Sequence, residues 1–198
     1  SGQPVLRLNL TDVYDVGAEF FRWEMATAIA GSVMGIHPFN QPDVQTTKDA
    51  TDELLAQYQI SGRLEEVVAS NSLDELLSQA TAGDYLAILA YVHEDPKIDR
   101  ALAAIRKRVT KEYKIATCLG YGPRYLHSTG QLHKGGANTG LFLEITENVD
   151  HDLPVPDQIY SFGVLSNAQA RGDLKALQTS GRRTAKLTKE QVLALNIE

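Results

Sequence analysis

The stretch Tyr85-Leu-Ala-Ile-Leu-Ala-Tyr-Val92, then Asp95-Pro96 opening an amphipathic segment to about Lys111, then Lys114-Ile-Ala-Thr-Cys-Leu119, decides the fold. The first and last runs are apolar and too short for helices, so they read as strands. Asp95 followed by proline is a helix start, because proline supplies the backbone angle of the first turn and has no N–H left to satisfy. Strand, helix and strand in that order need a parallel crossover.

Working outward, the pattern repeats. A histidine-bearing segment follows, then a strand over Leu141–Thr146 and a Pro- and Asp-rich loop over His151–Asp157. Next come a helix from about Phe162 to Ser180, a strand over Arg182–Leu187, and Thr188 as the cap of a terminal helix. On the other side lie a helix over Ser72–Thr81 and a less regular stretch, Ile60–Ala69, with room for a short strand. Strands alternating with helices give an α/β fold, a mostly parallel sheet with helices on both faces.

A strand–helix–helix segment precedes it. Val5–Leu10 alternates apolar and polar residues, the period of a strand. Val16–Met34 carries Phe20, Trp23, Ala26, Ala30 and Val33 at helical spacing, with Asp12 or Asp15 available as cap. Its second half is apolar nearly all round, which predicts a central, buried helix. Gly35 ends it, His37-Pro38-Phe39-Asn40 turns the chain, and a second helix opens at Asn40 or Gln41, with Pro42 in its first turn, and runs to about Gln57. The expected domains are residues 1–60 and 61–198, with the boundary near 59–71.

The 198 residues, 43% hydrophobic, suffice for one substantial domain or for one domain carrying an appendage. A net charge of −6 argues against nucleic acid as a partner. The basic cluster Arg106, Lys107, Arg108 and Lys111 reads as a solvated helix face. No apolar run reaches membrane-spanning length and no signal peptide opens the chain, so no membrane partner is expected. Ser1-Gly2 reads as the remnant of a tag. The single cysteine, Cys118, cannot pair within the chain and points to a reducing, cytoplasmic setting, buried and inert in its strand.

The segment that could carry chemistry is Gly120-Tyr-Gly-Pro-Arg-Tyr-Leu-His-Ser-Thr-Gly-Gln-Leu-His-Lys-Gly-Gly136. It places His127 just past a strand, where ligands collect in open α/β sheets. An imidazole there is either a satisfied structural histidine or, with an unperturbed pKa of about 6.5, a group that exchanges protons near neutral pH. On the helix after Pro42, residues Val44, Lys48, Thr51, Leu55 and Tyr58 share one face, so Lys48 lies among residues that should be buried. Its ammonium either approaches a pocket or stays in water above a buried stem.

Other chemistries find no support. His127 and His133 are too far apart along a helix for an i, i+4 zinc pair, and one cysteine adds no ligand set, so no metal and no cofactor are expected. Walker, dinucleotide and nucleophile-elbow motifs are missing. Lys134–Gly140 is glycine-rich, with the composition to wrap an anion, and reads better as a flexible loop. Glu19, Glu24 and Glu144 have no partner visible in the sequence.

Two segments together carry a resemblance. Ile36-His37-Pro38-Phe39-Asn40-Gln41-Pro42-Asp43-Val44 with Lys48 resembles the C-terminal signature of phosphoglucose isomerases, and Leu126-His127-Ser128-Thr129-Gly130-Gln131 resembles that family's histidine motif. Pro123–Gly136 and the stretch from Leu153 through Asp173 are similar to the C-terminal end of bifunctional transaldolase/phosphoglucose isomerase proteins. The resemblance implies a sugar-isomerase-like fold and a sugar phosphate substrate. It implies catalytic roles for His127, in opening the sugar ring, and Lys48, near the ring oxygen, and substrate-binding roles for Gln41, Ser128 and Gln131.

The sequence also departs from the family. Its Glu-Ser-x-Gly-Lys motif and its Ser/Thr-rich phosphate loop are absent, the two motifs occur in reversed order, and His37 and Asn40 stand where Asn and Asp are usual. The expectation is therefore part of a glucose 6-phosphate/fructose 6-phosphate isomerase, partnered by upstream domains of the same polypeptide and inactive alone, with a homo-oligomer among the allowed states. Two other readings stay open: a non-catalytic docking or regulatory domain, and an independent sugar-phosphate-binding module.

Overall fold

Alternation along each strand sets the layers. Tyr85–Tyr91 (β1) sends Leu86, Ile88 and Ala90 to one face and Ala87, Leu89 and Tyr91 to the other, and both sets are buried. A strand buried on both sides must be covered twice. The structure, a computed structural model, describes residues 5–149 and 151–195. Ser1-Gly2 lies outside them.

Pro96–Glu112 (α4) follows β1, and Asp95 caps it, its carboxylate accepting from the Lys97 and Ile98 N–H groups. Ala116–Tyr121 (β2), Gly140–Thr146 (β3) and Arg183–Thr188 (β4) complete the sheet. The strand order is β2-β1-β3-β4, and every pairing is parallel. Between β2 and β3 run a 3₁₀ turn over Arg124–His127 and a short helix, Gly130–Gly135 (α5).

One face is covered by α4, by Leu73–Leu77 (α3) and by Lys189–Ala194 (α7), which bury Leu76, Leu102, Ile105 and Val192 against Leu86, Ile88, Leu143 and Leu187. The other face is covered by Phe162–Thr179 (α6), whose Ala170 and Leu177 meet Ala87, Leu89 and Phe142. Beyond α6 lies Pro42–Ser61 (α2), where Leu54 and Leu55 pack on Ala168. The fold is α/β with helices on both faces of a parallel sheet, as the sequence predicts.

The chain divides into two compact units, residues 1–40 and 41–198. The helix from Pro42, which the sequence groups with the N-terminal piece, packs on α6, and Glu53 ion-pairs with Lys175 at 2.7 Å. Ile60–Ala69 contains no strand; α2 continues to Ser61, and Ser70 alone bridges to Ala185. Thr188 caps α7 in a reciprocal capping box with Gln191.

Two expectations for the N-terminal unit are corrected. Val5–Leu10 forms no strand and is exposed throughout, because alternation needs a neighbouring strand to bond to. The helix, Asp15–Met34 (α1), forms and ends at left-handed Gly35, yet only Gly31 along it is buried. Phe20, Phe21 and Trp23 are each more than half exposed. Asp15 acts as an anchor for the preceding turn, accepting from Thr11 and Asp12 N–H groups, and these bonds lower its pKa.

No helix among the described residues is long and apolar enough to cross a membrane. Cys118 is half-buried in β2, and burial pushes its thiol pKa up.

Candidate functional site

The 3₁₀ turn after β2 lifts His127 out of the sheet end toward α2. There a cavity of about 330 Å³ is lined by Val44, Thr47, Lys48, Thr51, Asp52 and Leu55 from α2, by Pro123, Leu126 and His127 from the turn, and by Tyr160, Leu165 and Gln169. Four of the five residues that spacing assigns to one face of the second helix line it. Helical periodicity puts these residues side by side, and the turn supplies the opposite wall.

Lys48 and His127 are thus brought to one cavity, and both are exposed. Thr47, Thr51 and Leu55 are buried lining residues, two hydroxyls beside one aliphatic side chain, whereas Lys48, Asp52 and His127 are exposed. Asp52 adds a carboxylate one helical turn beyond Lys48, which sequence reading missed although the i, i+4 spacing marks it. Chemically the arrangement offers a cation, an imidazole and a carboxylate to a small polar ligand.

The other three sequence-derived residues lie elsewhere. Gln41 is exposed at the start of α2 and does not line the cavity. Gln131 bonds to Asp43, its Oε1 accepting from the Asp43 N–H at 3.1 Å. Ser128 lines a neighbouring cavity of about 310 Å³ with Cys118, Tyr125, Thr129 and His133, and donates to the Tyr125 carbonyl at 3.1 Å. Consecutive residues of the histidine motif therefore face two different cavities.

His127 is exposed, whereas the second histidine of the segment, His133, is not. It is buried between Tyr85, Tyr125 and Phe142, and its Nδ1 lies 3.1 Å from the Tyr85 hydroxyl. Burial, reinforced by the Lys134 charge, pulls its pKa down to about 4. Lys134, which the sequence assigns to a flexible glycine-rich loop, is also buried and ion-paired to Asp173. Glu144 is buried with neither carboxylate oxygen hydrogen-bonded to the described residues, and burial, with Asp173 nearby, raises its pKa well above the usual range.

Among the described residues no group of three or more His, Cys, Asp or Glu side chains is placed to hold a metal.

No family model matches the chain. Over 58 residues it is 40% identical to glucose-6-phosphate isomerase of Latilactobacillus sakei and 38% identical to that of Pediococcus pentosaceus. The matched stretch covers 28% of this chain and 13% of either isomerase. Hypothetical protein TT0462 from Thermus thermophilus aligns with a TM-score of 0.44 and 14% identity, over 52% of this chain and 29% of that one. The chain carries a region related to glucose-6-phosphate isomerase.

Proposed function

We propose that this chain supplies the ring-opening half of an isomerase site that interconverts glucose 6-phosphate and fructose 6-phosphate in the cytoplasm. The carboxylate base and the phosphate cradle then lie in upstream domains of the same polypeptide, which also carries a transaldolase part. One observation carries the reading: Lys48 and His127, from motifs distant in the sequence, line one open cavity.

Opening a sugar ring needs a proton taken from a hydroxyl and one given to the ring oxygen. His127 suits that exchange, and Lys48 places positive charge where negative charge develops on oxygen. Moving the proton between C1 and C2 through an enediol then needs a base set against the carbon skeleton, which the upstream domains provide. An open cavity with Lys48 and His127 exposed fits a site completed by further polypeptide.

The test is His127→Ala in the full-length polypeptide. Isomerase turnover should fall by about 100-fold or more, the usual contribution of a positioned acid–base group, while transaldolase turnover is unchanged. Unchanged isomerase turnover overturns the proposal. The isolated chain should be inactive, and robust isomerisation by it would equally count against the division of the site.

A further inference from the structure

We propose that Asp173 is the positioning residue of the Lys48–His127 cavity, a refinement that rests on the function proposed above. Asp173 sits on α6 with no exposed surface. A carboxylate in that position must have its lone pairs occupied, or its burial costs several kcal/mol.

Its partners come from three other elements. The Lys134 ammonium of α5 pairs with Oδ1, the Tyr125 hydroxyl of the 3₁₀ turn donates to Oδ2, and the Thr47 hydroxyl of α2 lies 3.5 Å from Oδ1. Tyr125 is in turn 3.3 Å from the Tyr91 hydroxyl on β1. One carboxylate therefore ties both walls of the cavity to the helix between them and, through Tyr125, to the sheet.

What these partners adjoin gives the arrangement its meaning. Thr47 immediately precedes Lys48, and Tyr125 stands two residues before His127. Thr47 and Tyr125 are each 4% exposed, whereas Lys48 and His127 are exposed. Successive residues are about 100° apart on an α-helix and about 120° apart on a 3₁₀ turn. Fixing an inward residue therefore fixes the direction in which its outward neighbour projects. Asp173 sets both directions from one point.

The close approach this requires is built in. Gly172 faces α2, and a Cβ there would lie 2.5 Å from Thr51 Oγ1 and 3.0 Å from the Thr51 nitrogen. Arg182 holds the end of α5, donating to the carbonyl oxygens of Lys134 and Gly136, which fixes the backbone from which Lys134 reaches Asp173.

The test uses Thr47→Val and Tyr125→Phe, which remove one donor each and leave the Asp173–Lys134 pair in place. NMR of the methyl groups and of the His127 imidazole reads the cavity without any ligand. Cross-cavity NOEs from Val44 and Leu55 to Leu126 should be lost in both variants, while NOEs among Leu86, Leu143 and Leu187 persist. The His127 ring signal should move in Tyr125→Phe and stay in Thr47→Val.

Fructose 6-phosphate binding to the full-length protein should weaken about tenfold, the scale of one lost hydrogen bond. A folded variant pair with unchanged NOEs and an unchanged His127 signal overturns the proposal. Should either fail to fold, Lys134→Met with Asp173→Leu replaces the ion pair by apolar groups, a change folds commonly tolerate. The same losses are expected there, partly restored by Lys134→Met with Asp173→Asn, and their absence overturns the proposal equally. If Lys48→Ala binds fructose 6-phosphate like the wild type, the sugar-phosphate reading falls while the ligand-free NMR result stands by itself.

Discussion

Asp43 and Gln131, 88 positions apart in sequence, clasp each other through both ends of the glutamine amide. Gln131 Oε1 accepts from the Asp43 N–H, and its Nε2 donates to the Asp43 carboxylate. The clasp joins the first turn of α2 to α5, so the segment carrying Lys48 is fastened to the segment following His127. Gly135 lies against it, and any side chain at that position would run into the Asp43 carboxylate.

Gln131→Ala should therefore lower stability by about 1 kcal/mol, the net scale of part-buried hydrogen bonds, seen as a lower urea midpoint at constant slope. Gln131→Glu should cost more at pH 7 than at pH 4, since it sets two carboxylates together. Gly135→Ala should also destabilise, through collision. Equal midpoints for Gln131→Ala and the wild type would show that the clasp contributes nothing to the fold.

Glu144 predicts a stability that declines as the solution becomes more alkaline. Burial raises its pKa in the fold, so the folded chain keeps the proton that the unfolded chain loses. With the folded pKa above the unfolded value, the group's contribution is intact below the ordinary carboxyl value of 4.5 and is lost as pH rises toward the folded one. Glu144→Leu removes this loss and the unbonded oxygens, and should stabilise the chain by about 2 kcal/mol at pH 7.5. Melting curves from pH 5 to pH 8 should be flatter for the variant, and parallel curves would refute the assignment.

His133 works in the opposite sense. Its pKa in the fold, about 4, lies below the ordinary value of 6.5, so the unfolded chain takes up the proton first. Its contribution is complete above pH 6.5 and is lost as pH falls through about 4. His133→Phe should flatten the melting temperature between pH 6.5 and pH 4.5 while losing the contact with the Tyr85 hydroxyl. A variant as pH-sensitive as the wild type in that window would show that the acid sensitivity does not come from His133; Asp84, whose pKa Arg183 holds below the ordinary 3.8, loses its contribution only at lower pH.

Features encoded over a few residues were legible in the sequence. Asp95 and Thr188 are caps, β1 and β2 follow from short apolar runs, and Val44, Lys48, Thr51 and Leu55 share the face that spacing assigns them. Val5–Leu10 and α1 misled because periodicity specifies which side of an element wants cover and says nothing about whether a cover exists. Thr47 and Tyr125 meet Asp173 across 126 and 48 positions. Each is ordinary in its own helix or turn, and only the stacking of α2 on α6 gives them a shared partner. The separation of Ser128 from His127 was equally hidden, since neighbours in a tight turn diverge by an angle that the motif does not record.

The placement of α2 has a kinetic consequence. The helix is held chiefly by α6 and α5, elements far along the chain, and the sheet pairs without it. Its docking closes a long loop whose ordering entropy is repaid only after α6 and α5 are in place. In native-state hydrogen exchange, the amides of Thr47–Leu55 should accordingly open as one cooperative unit at a lower free energy than those of β1. On that expectation the Lys48 wall is the first part of the cavity lost under destabilising conditions, while the His127 turn, joined to the sheet through Tyr125, outlasts it.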